Sequence, residues 1–375
     1  MKQARTFASE TIDAIRAAGN TLRRPGGEIC LPKAFGFCRG VTRALAMLQN
    51  ACREYAGGPG RLFLLGQIIH NPWVNDYFAD RGVRILNRDE VAHAEDFLTA
   101  ADVAVIPAFG VPAEVEARLN RTGCRVVDTC CGNVRRLWTW ACAAAEKGFG
   151  VLIFGRAGHD ETLVIRSRLA AAGGKYLVVG DLAEAGEFAD LLSAGGPPGE
   201  FARLFGPSKT NAETLDPFGR LAQVSQTTML YEGTRALREM LGSALARRYG
   251  PESLDDRFAF ERTVCRATQD RQSAAVELCR GGCDLVVVVG GFGSSNTRHL
   301  YELARAYVPA FFIEDAGSIE SRDAIRALDA DSNRPVTVRD WLPRRRRLRI
   351  GVLAGASSPE IVVGRVVQKL SEFLS

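Results

Sequence analysis

The sequence predicts an α/β protein built from several similar strand–helix units with parallel sheets. Three observations lead there. Short apolar runs alternate with amphipathic stretches along the chain, the pattern of βαβ units. The runs carry no polar alternate, as expected of strands covered on both faces. Glycine-rich and polar strings follow the runs, where open α/β sheets bind ligands.

The apolar runs fall at 61–69, 101–108, 125–127, 150–154, 176–179, 220–224, 284–289, 310–313 and 347–353. Amphipathic helices are expected at 114–119, 136–147, 232–247, 270–280 and 297–307. The 375 residues correspond to two or three domains at roughly 100–200 residues each. The boundaries read as an N-terminal extension at 1–27, with one short helix at 11–18, and α/β lobes at 40–130, 131–262 and 263–375. A strand at 28–39 returns to the last lobe. The Gly- and Pro-rich stretch 193–218 reads as a surface insertion.

Composition narrows the function classes. A net charge of +5, without a clustered basic stripe, does not mark a nucleic-acid binder. The one dense run, the arginines at 344–347, reads as a solvated approach to a strand or as a docking patch for an acidic electron donor. No apolar run approaches the ~18 residues of a membrane span. The N-terminus lacks a hydrophobic signal core, so a cytoplasmic protein is expected. The ten cysteines form neither a compact secreted framework nor a CxxC pair. Cys30, Cys52, Cys124, Cys142, Cys279 and Cys283 sit in apolar or helical contexts and read as small buried hydrophobes. Cys131 has no assigned role.

The remaining strings carry chemistry. Ser294-Ser295-Asn296-Thr297 follows a strand and opens a helix, as do Ser357 and Ser358 before Pro359-Glu360. They serve either as helix caps or as an anion site at a helix N-terminus. Gln226-Thr227-Thr228 and the strand-end histidines His70 and His159 favour a bound anion such as a diphosphate. Glu161, two residues past His159, adds an acid–base group. His93 and His299 lie in charged helices and take no role. Cys38, Cys130 and Cys265 each lie in a glycine-rich or polar turn. Spacing alone makes them a weak cluster signal, because the local CxxC runs of ferredoxins are absent.

Taken in order, from Gly36-Phe37-Cys38-Arg39-Gly40-Val41 to Ala354-Gly355-Ala356-Ser357, the strings resemble the 4-hydroxy-3-methylbut-2-enyl diphosphate reductases, the LytB/IspH family of the non-mevalonate isoprenoid pathway. The resemblance implies three α/β lobes with parallel sheets arranged pseudo-threefold around a central iron–sulfur cluster. It implies a 4Fe-4S cluster held by Cys38, Cys130 and Cys265, with one open iron that binds the substrate's allylic hydroxyl as a Lewis acid. His70, His159, Ser294, Ser295, Asn296 and Ser357 match diphosphate-binding positions. Glu161 matches the proton-delivering carboxylate, Thr227 the hydroxyl that orients substrate and water, and Thr268 joins that network. A ferredoxin- or flavodoxin-type donor is implied.

The chain departs from the family's strings around the pocket. Phe109 stands where an Ala-His-Gly histidine is usual, and it cannot donate a hydrogen bond to a diphosphate. Val127-Asp128-Thr129-Cys130-Cys131 replaces Asp-Ala-Thr-Cys-Pro. Arg136-Leu137-Trp138 replaces a Lys-Val-His stretch, Thr162-Leu163-Val164-Ile165-Arg166 replaces small residues, and Asp270-Arg271-Gln272 replaces Asn-Arg-Gln. The leading expectation is a divergent reductase of this family. A paralogue acting on a different substrate is the alternative, and a non-catalytic iron–sulfur sensor is the second.

Overall fold

The five-residue run Leu285–Val289 shows how the sheets are made. Leu285, Val287 and Val289 point into one apolar core, while Val286 and Val288 point into another. A strand covered on both faces needs no polar alternate, so the run is apolar throughout. The computed structural model describes residues 7–55, 60–197, 199–330 and 332–375. The chain forms mixed α/β structure in two compact units. One comprises Met1–Thr42, Ile69–Phe78 and Arg266–Ser375; the other comprises Arg43–Ile68 and Ala79–Cys265.

The first unit holds a five-stranded sheet in the order Thr21–Arg24, Gly27–Cys30, Leu348–Ala354, Leu285–Val289, Ala310–Ile313. All neighbours run parallel except the hairpin of the first two. The helix expected at 11–18 spans Glu10–Ala17 and is capped by Ser9. Its Ile12 and Ile15 are buried in the same core as the helix Glu360–Glu372, and Arg16 pairs with Glu360. From residue 7 onward the expected extension is thus a working part of this unit; residues 1–6 lie outside the described residues. The strand expected at 28–39 is only Gly27–Cys30, because the glycine-rich string beyond it turns away. An antiparallel hairpin, Ala324–Leu328 with Pro335–Arg339, was not legible in advance.

The second unit carries two four-stranded sheets, parallel throughout. One runs Val83–Ile85, Leu62–Leu64, Val103–Ile106, Arg125–Asp128; the other runs Phe258–Phe260, Leu221–Ser225, Gly150–Phe154, Tyr176–Val179. The run at 61–69 yields only three strand residues, since the chain turns out of the sheet at Gly66, whose φ is +105°. The stretch 193–218 is not merely a surface insertion. Phe201, Phe205, Leu215 and Phe218 are buried in the core of the second sheet, and Phe188 meets Phe205 and Phe218 edge-on at 6.0 and 5.5 Å. Its Gly and Pro shape a loop, while its aromatics anchor it. No helix among the described residues is long and apolar enough to cross a membrane.

Candidate functional site

In the first unit the strand Leu285–Val289 delivers Ser294 to the N-terminus of the helix Ser295–Arg305. Ser294 Oγ accepts from the Thr297 amide at 3.3 Å and from Thr297 Oγ1 at 2.9 Å, so it does cap the helix. Ser357 Oγ donates to Ser294 Oγ at 3.1 Å and lies 3.5 Å from the carbonyl of His70. Asn296 Oδ1 accepts from the Ala356 amide at 2.9 Å, and Asn296 Nδ2 donates to Thr268 Oγ1 at 3.3 Å. Ser294, Ser295, Asn296, Ser357 and Thr268 are all buried. Of the two roles posed for this string, capping is the one the structure shows. The backbone closes tightly around it: a Cβ at Gly355 would overlap Thr297 Oγ1, and one at Gly291 would lie 2.6 Å from the His70 carbonyl.

Cys38 borders this network, its amide donating to the Ala356 carbonyl at 3.4 Å. It immediately precedes the helix Arg39–Glu54, and its sulfur accepts from the Val41 amide at 3.4 Å. Sequence reading missed the support of this loop. Buried Arg271 donates to the Gly36 carbonyl at 2.6 Å and to the Ala267 carbonyl at 2.8 Å. The available signal was an arginine within the turn-rich neighbourhood of a candidate ligand.

In the second unit Glu161 lies in the first turn of the helix Asp160–Ala171, capped by His159, whose Nδ1 accepts from the Glu161 amide at 3.2 Å. Glu161 is 3% exposed. Its carboxylate accepts from the Thr227 amide at 2.6 Å and from Thr227 Oγ1 at 2.8 Å. Burial outweighs these two bonds and pushes the Glu161 carboxyl up to about 7. Thr227 in turn accepts from the Cys265 amide at 3.1 Å through its carbonyl. His159, Glu161, Thr227 and Cys265 therefore form one hydrogen-bonded chain. Thr263, another residue not singled out from sequence, steadies it: its hydroxyl accepts from the Ser225 amide at 2.7 Å and donates to the Ser225 carbonyl at 2.6 Å.

Cys130 is buried beyond the strand Arg125–Asp128. Its amide donates to Asp128 Oδ1 at 2.8 Å, and Arg43 donates to its carbonyl at 3.2 Å. Burial, and then the Asp128 carboxylate, push its thiol up to about 12. Cys131, next in the chain, caps the helix Gly132–Glu146, while Cys265 directly precedes the helix Arg266–Arg280. Each of the three larger sheets thus carries one candidate cysteine at or beside a helix N-terminus. The cysteines read as structural lie instead inside strands or helices or just beside them. Among the described residues no group of three or more His, Cys, Asp or Glu side chains is arranged to hold a single metal ion. A multi-iron cluster sets its ligands farther apart than one ion does, so the donor chemistry is the applicable test. Cysteine sulfur is the donor type that iron–sulfur groups take.

The departures noted at Phe109, Trp138 and 162–166 also meet in this unit. The Trp138 ring packs so closely on Gly110 that a Cβ there would lie 2.8 Å from it and 3.5 Å from Val164 Cγ1. Gly110 has φ +86°, so glycine is required on both counts. Phe109 lines an apolar cavity beside Leu163 and Val164. The arginines at 344–347 are exposed at the approach to the strand Leu348–Ala354, with Arg345 on Asp284 at 2.6 Å and Arg344 on Asp323 at 3.3 Å.

Parallel sheets with buried carboxylate, hydroxyl and thiol groups at the ends of their strands define an α/β protein whose candidate site lies where such folds carry their chemistry. The LytB protein family model matches residues 29–371, and the chain belongs to that family. The 4-hydroxy-3-methylbut-2-enyl diphosphate reductase of Gloeobacter violaceus is 37% identical over 374 residues, covering 98% of this chain and 88% of the relative. One from Prochlorococcus marinus is 34% identical, covering 98% and 89%. Among solved structures, the Plasmodium falciparum E-1-hydroxy-2-methyl-but-2-enyl-4-diphosphate reductase matches with a TM-score of 0.65 at 17% identity, covering 92% of this chain and 87% of that one. A second, (E)-4-hydroxy-3-methyl-but-2-enyl diphosphate reductase, matches with a TM-score of 0.54 at 24% identity, covering 92% and 99%. These two likenesses speak for the fold.

Proposed function

We propose that the chain is an iron–sulfur reductase that removes the hydroxyl from (E)-4-hydroxy-3-methylbut-2-enyl diphosphate, giving isopentenyl and dimethylallyl diphosphate in the non-mevalonate pathway. The observation that carries the proposal is the buried Glu161–Thr227 pair, hydrogen-bonded onward to Cys265. A sensor would need the cysteines but not a carboxyl held near neutrality beside a buried hydroxyl.

Cys38, Cys130 and Cys265 are the proposed ligands of a 4Fe-4S cluster, one from each of the larger sheets. When bound, the cluster supplies electrons and an open iron that acts as a Lewis acid toward the allylic hydroxyl. The protein's own groups do the rest. Ser294, Ser295, Asn296 and Ser357, with His70 and His159, hold the diphosphate by charge-assisted hydrogen bonds. Thr227 orients the reacting end of the substrate, and Thr268 fixes Asn296. Glu161, protonated in roughly half of the molecules at neutral pH, gives up its proton beside Thr227. Overall, two electrons and two protons enter, the C–O bond breaks and water leaves. The electrons come from a ferredoxin- or flavodoxin-type donor, and the setting is cytoplasmic.

Phe109 favours a second reading, a paralogue with a different substrate, because its ring offers no donor to a diphosphate. Anaerobically purified protein, assayed with a chemical reductant and the standard diphosphate, separates the two. Turnover supports the first reading, and no turnover with an intact cluster sinks it. A Phe109→His variant that gains activity would support the second.

A further inference from the structure

The cavity beside Phe109 lies within the second unit. It occupies about 470 Å³. Leu65 and Leu86 wall it from the first sheet of the second unit, Phe109 from the turn after Val103–Ile106, and Val115 from the helix Ala113–Thr122. Leu163 and Val164 close it from the helix Asp160–Ala171. Leu65, Leu86, Val115 and Val164 are each at most 5% exposed. The walls are also braced apart. Trp138 wedges against Gly110, with Arg168 stacked on its ring at 4.1 Å. The Ala113 amide donates to Ser167 Oγ at 2.8 Å and ties the two helices together. Its size and mostly apolar walls are those of a small-molecule pocket.

The chemistry of the walls selects that occupant. The charges at the rim are already matched: Arg88 lies 2.7 Å from Asp160 and donates to the Gly158 carbonyl at 3.1 Å, and Arg118 lies 3.2 Å from Glu95. Glu114, which also lines the cavity, accepts from Ser167 Oγ, so no cation is left there to recruit an anionic ligand. A dry apolar cavity of about 150 Å³ takes one benzene ring. A cavity about three times larger, open at one side, takes roughly ten to fifteen carbons. We propose that this cavity is a binding site for a neutral aliphatic chain of that length.

The test is titration of the holoprotein with farnesol, followed by calorimetry and by tryptophan fluorescence, since Trp138 packs against the cavity wall. One saturable site per chain is expected. Leu163→Trp from one wall and Val115→Phe from the other fill the space, and each weakens binding at least tenfold while the circular dichroism stays native. If Leu163→Trp fails to fold, Val115→Phe carries the test. Absence of saturable binding to the native holoprotein overturns the proposal, as do folded variants that bind farnesol as the native protein does.

Discussion

Replacing Glu161 by Gln isolates the proton from the geometry that holds it. Gln Oε1 can still accept from the Thr227 amide, and its NH₂ can donate to Thr227 Oγ1, so the pair bonded at 2.6 and 2.8 Å survives in shape. What disappears is the proton. With the carboxyl raised to about 7, roughly half of the native enzyme carries it at neutral pH. Loss of a positioned acid costs about 10²–10⁴ in rate, or about 3–5 kcal/mol of transition-state stabilisation. Native turnover should therefore fall as pH rises through about 7, and Glu161→Gln should turn over at least about 100-fold more slowly with its cluster absorbance intact. Stability moves in a definite direction. A carboxyl whose folded pKa lies above its unfolded value binds more protons when folded, so native stability is lost as pH rises between the two. The raised value of about 7, against an ordinary 4.5, makes that loss about 3 kcal/mol at most. Neutral Gln escapes it, so the variant should melt higher than the native protein at pH 8 and not at pH 4. Unchanged turnover, or a flat native pH profile up to pH 8.5, would refute the assignment.

Three further outcomes are expected. Cys265→Ser should lose most of the bound iron, whereas Cys142→Ser, within the helix Gly132–Glu146, should keep it; iron and sulfide analysis after anaerobic purification decides. Phe205→Ala should destabilise by about 3–5 kcal/mol, because this fully buried ring sits in the core of the second sheet. Denaturant melting showing less than about 1 kcal/mol would return 193–218 to a surface role. Asn296→Ala removes an acceptor of the Ala356 amide and a proposed diphosphate donor. Loss of a bond to a charged group is worth about 1.5–3 kcal/mol, so KM should rise about 10- to 100-fold with kcat less affected. A change confined to kcat would argue against diphosphate contact.

The sheets were legible because their strands are buried on both faces, which leaves uninterrupted apolar runs such as 284–289. Their lengths were less so. At 61–69 the apolar pattern continues through Ile68 and Ile69, but both are buried after the chain has left the sheet. The Gly and Pro of 193–218 hid its role, because composition reports backbone freedom and not where Phe201 and Phe218 point. The strand-end strings were legible as a set, yet spacing could not reveal that Ser357 bonds to Ser294 or that Glu161 bonds to Thr227. Those pairs are far apart in sequence. The supporting role of Arg271 escaped because its partner carbonyl lies more than two hundred residues away in sequence.

The strand Gly27–Cys30 pairs with Leu348–Ala354, and the Gly26 amide donates to the Leu374 carbonyl at 2.8 Å. On a ribosome, the strand Gly27–Cys30 has its hairpin partner at once, but its other edge waits until residue 348 and beyond are made. The second unit, closed at Cys265, is complete while the first still lacks the middle of its sheet. An unpaired strand edge held open that long invites misassembly. The same seam offers a remedy. A reordered chain that makes Leu348–Ala354 shortly before Gly27–Cys30 would synthesise the two halves of this sheet in succession, and should fold faster with less aggregation.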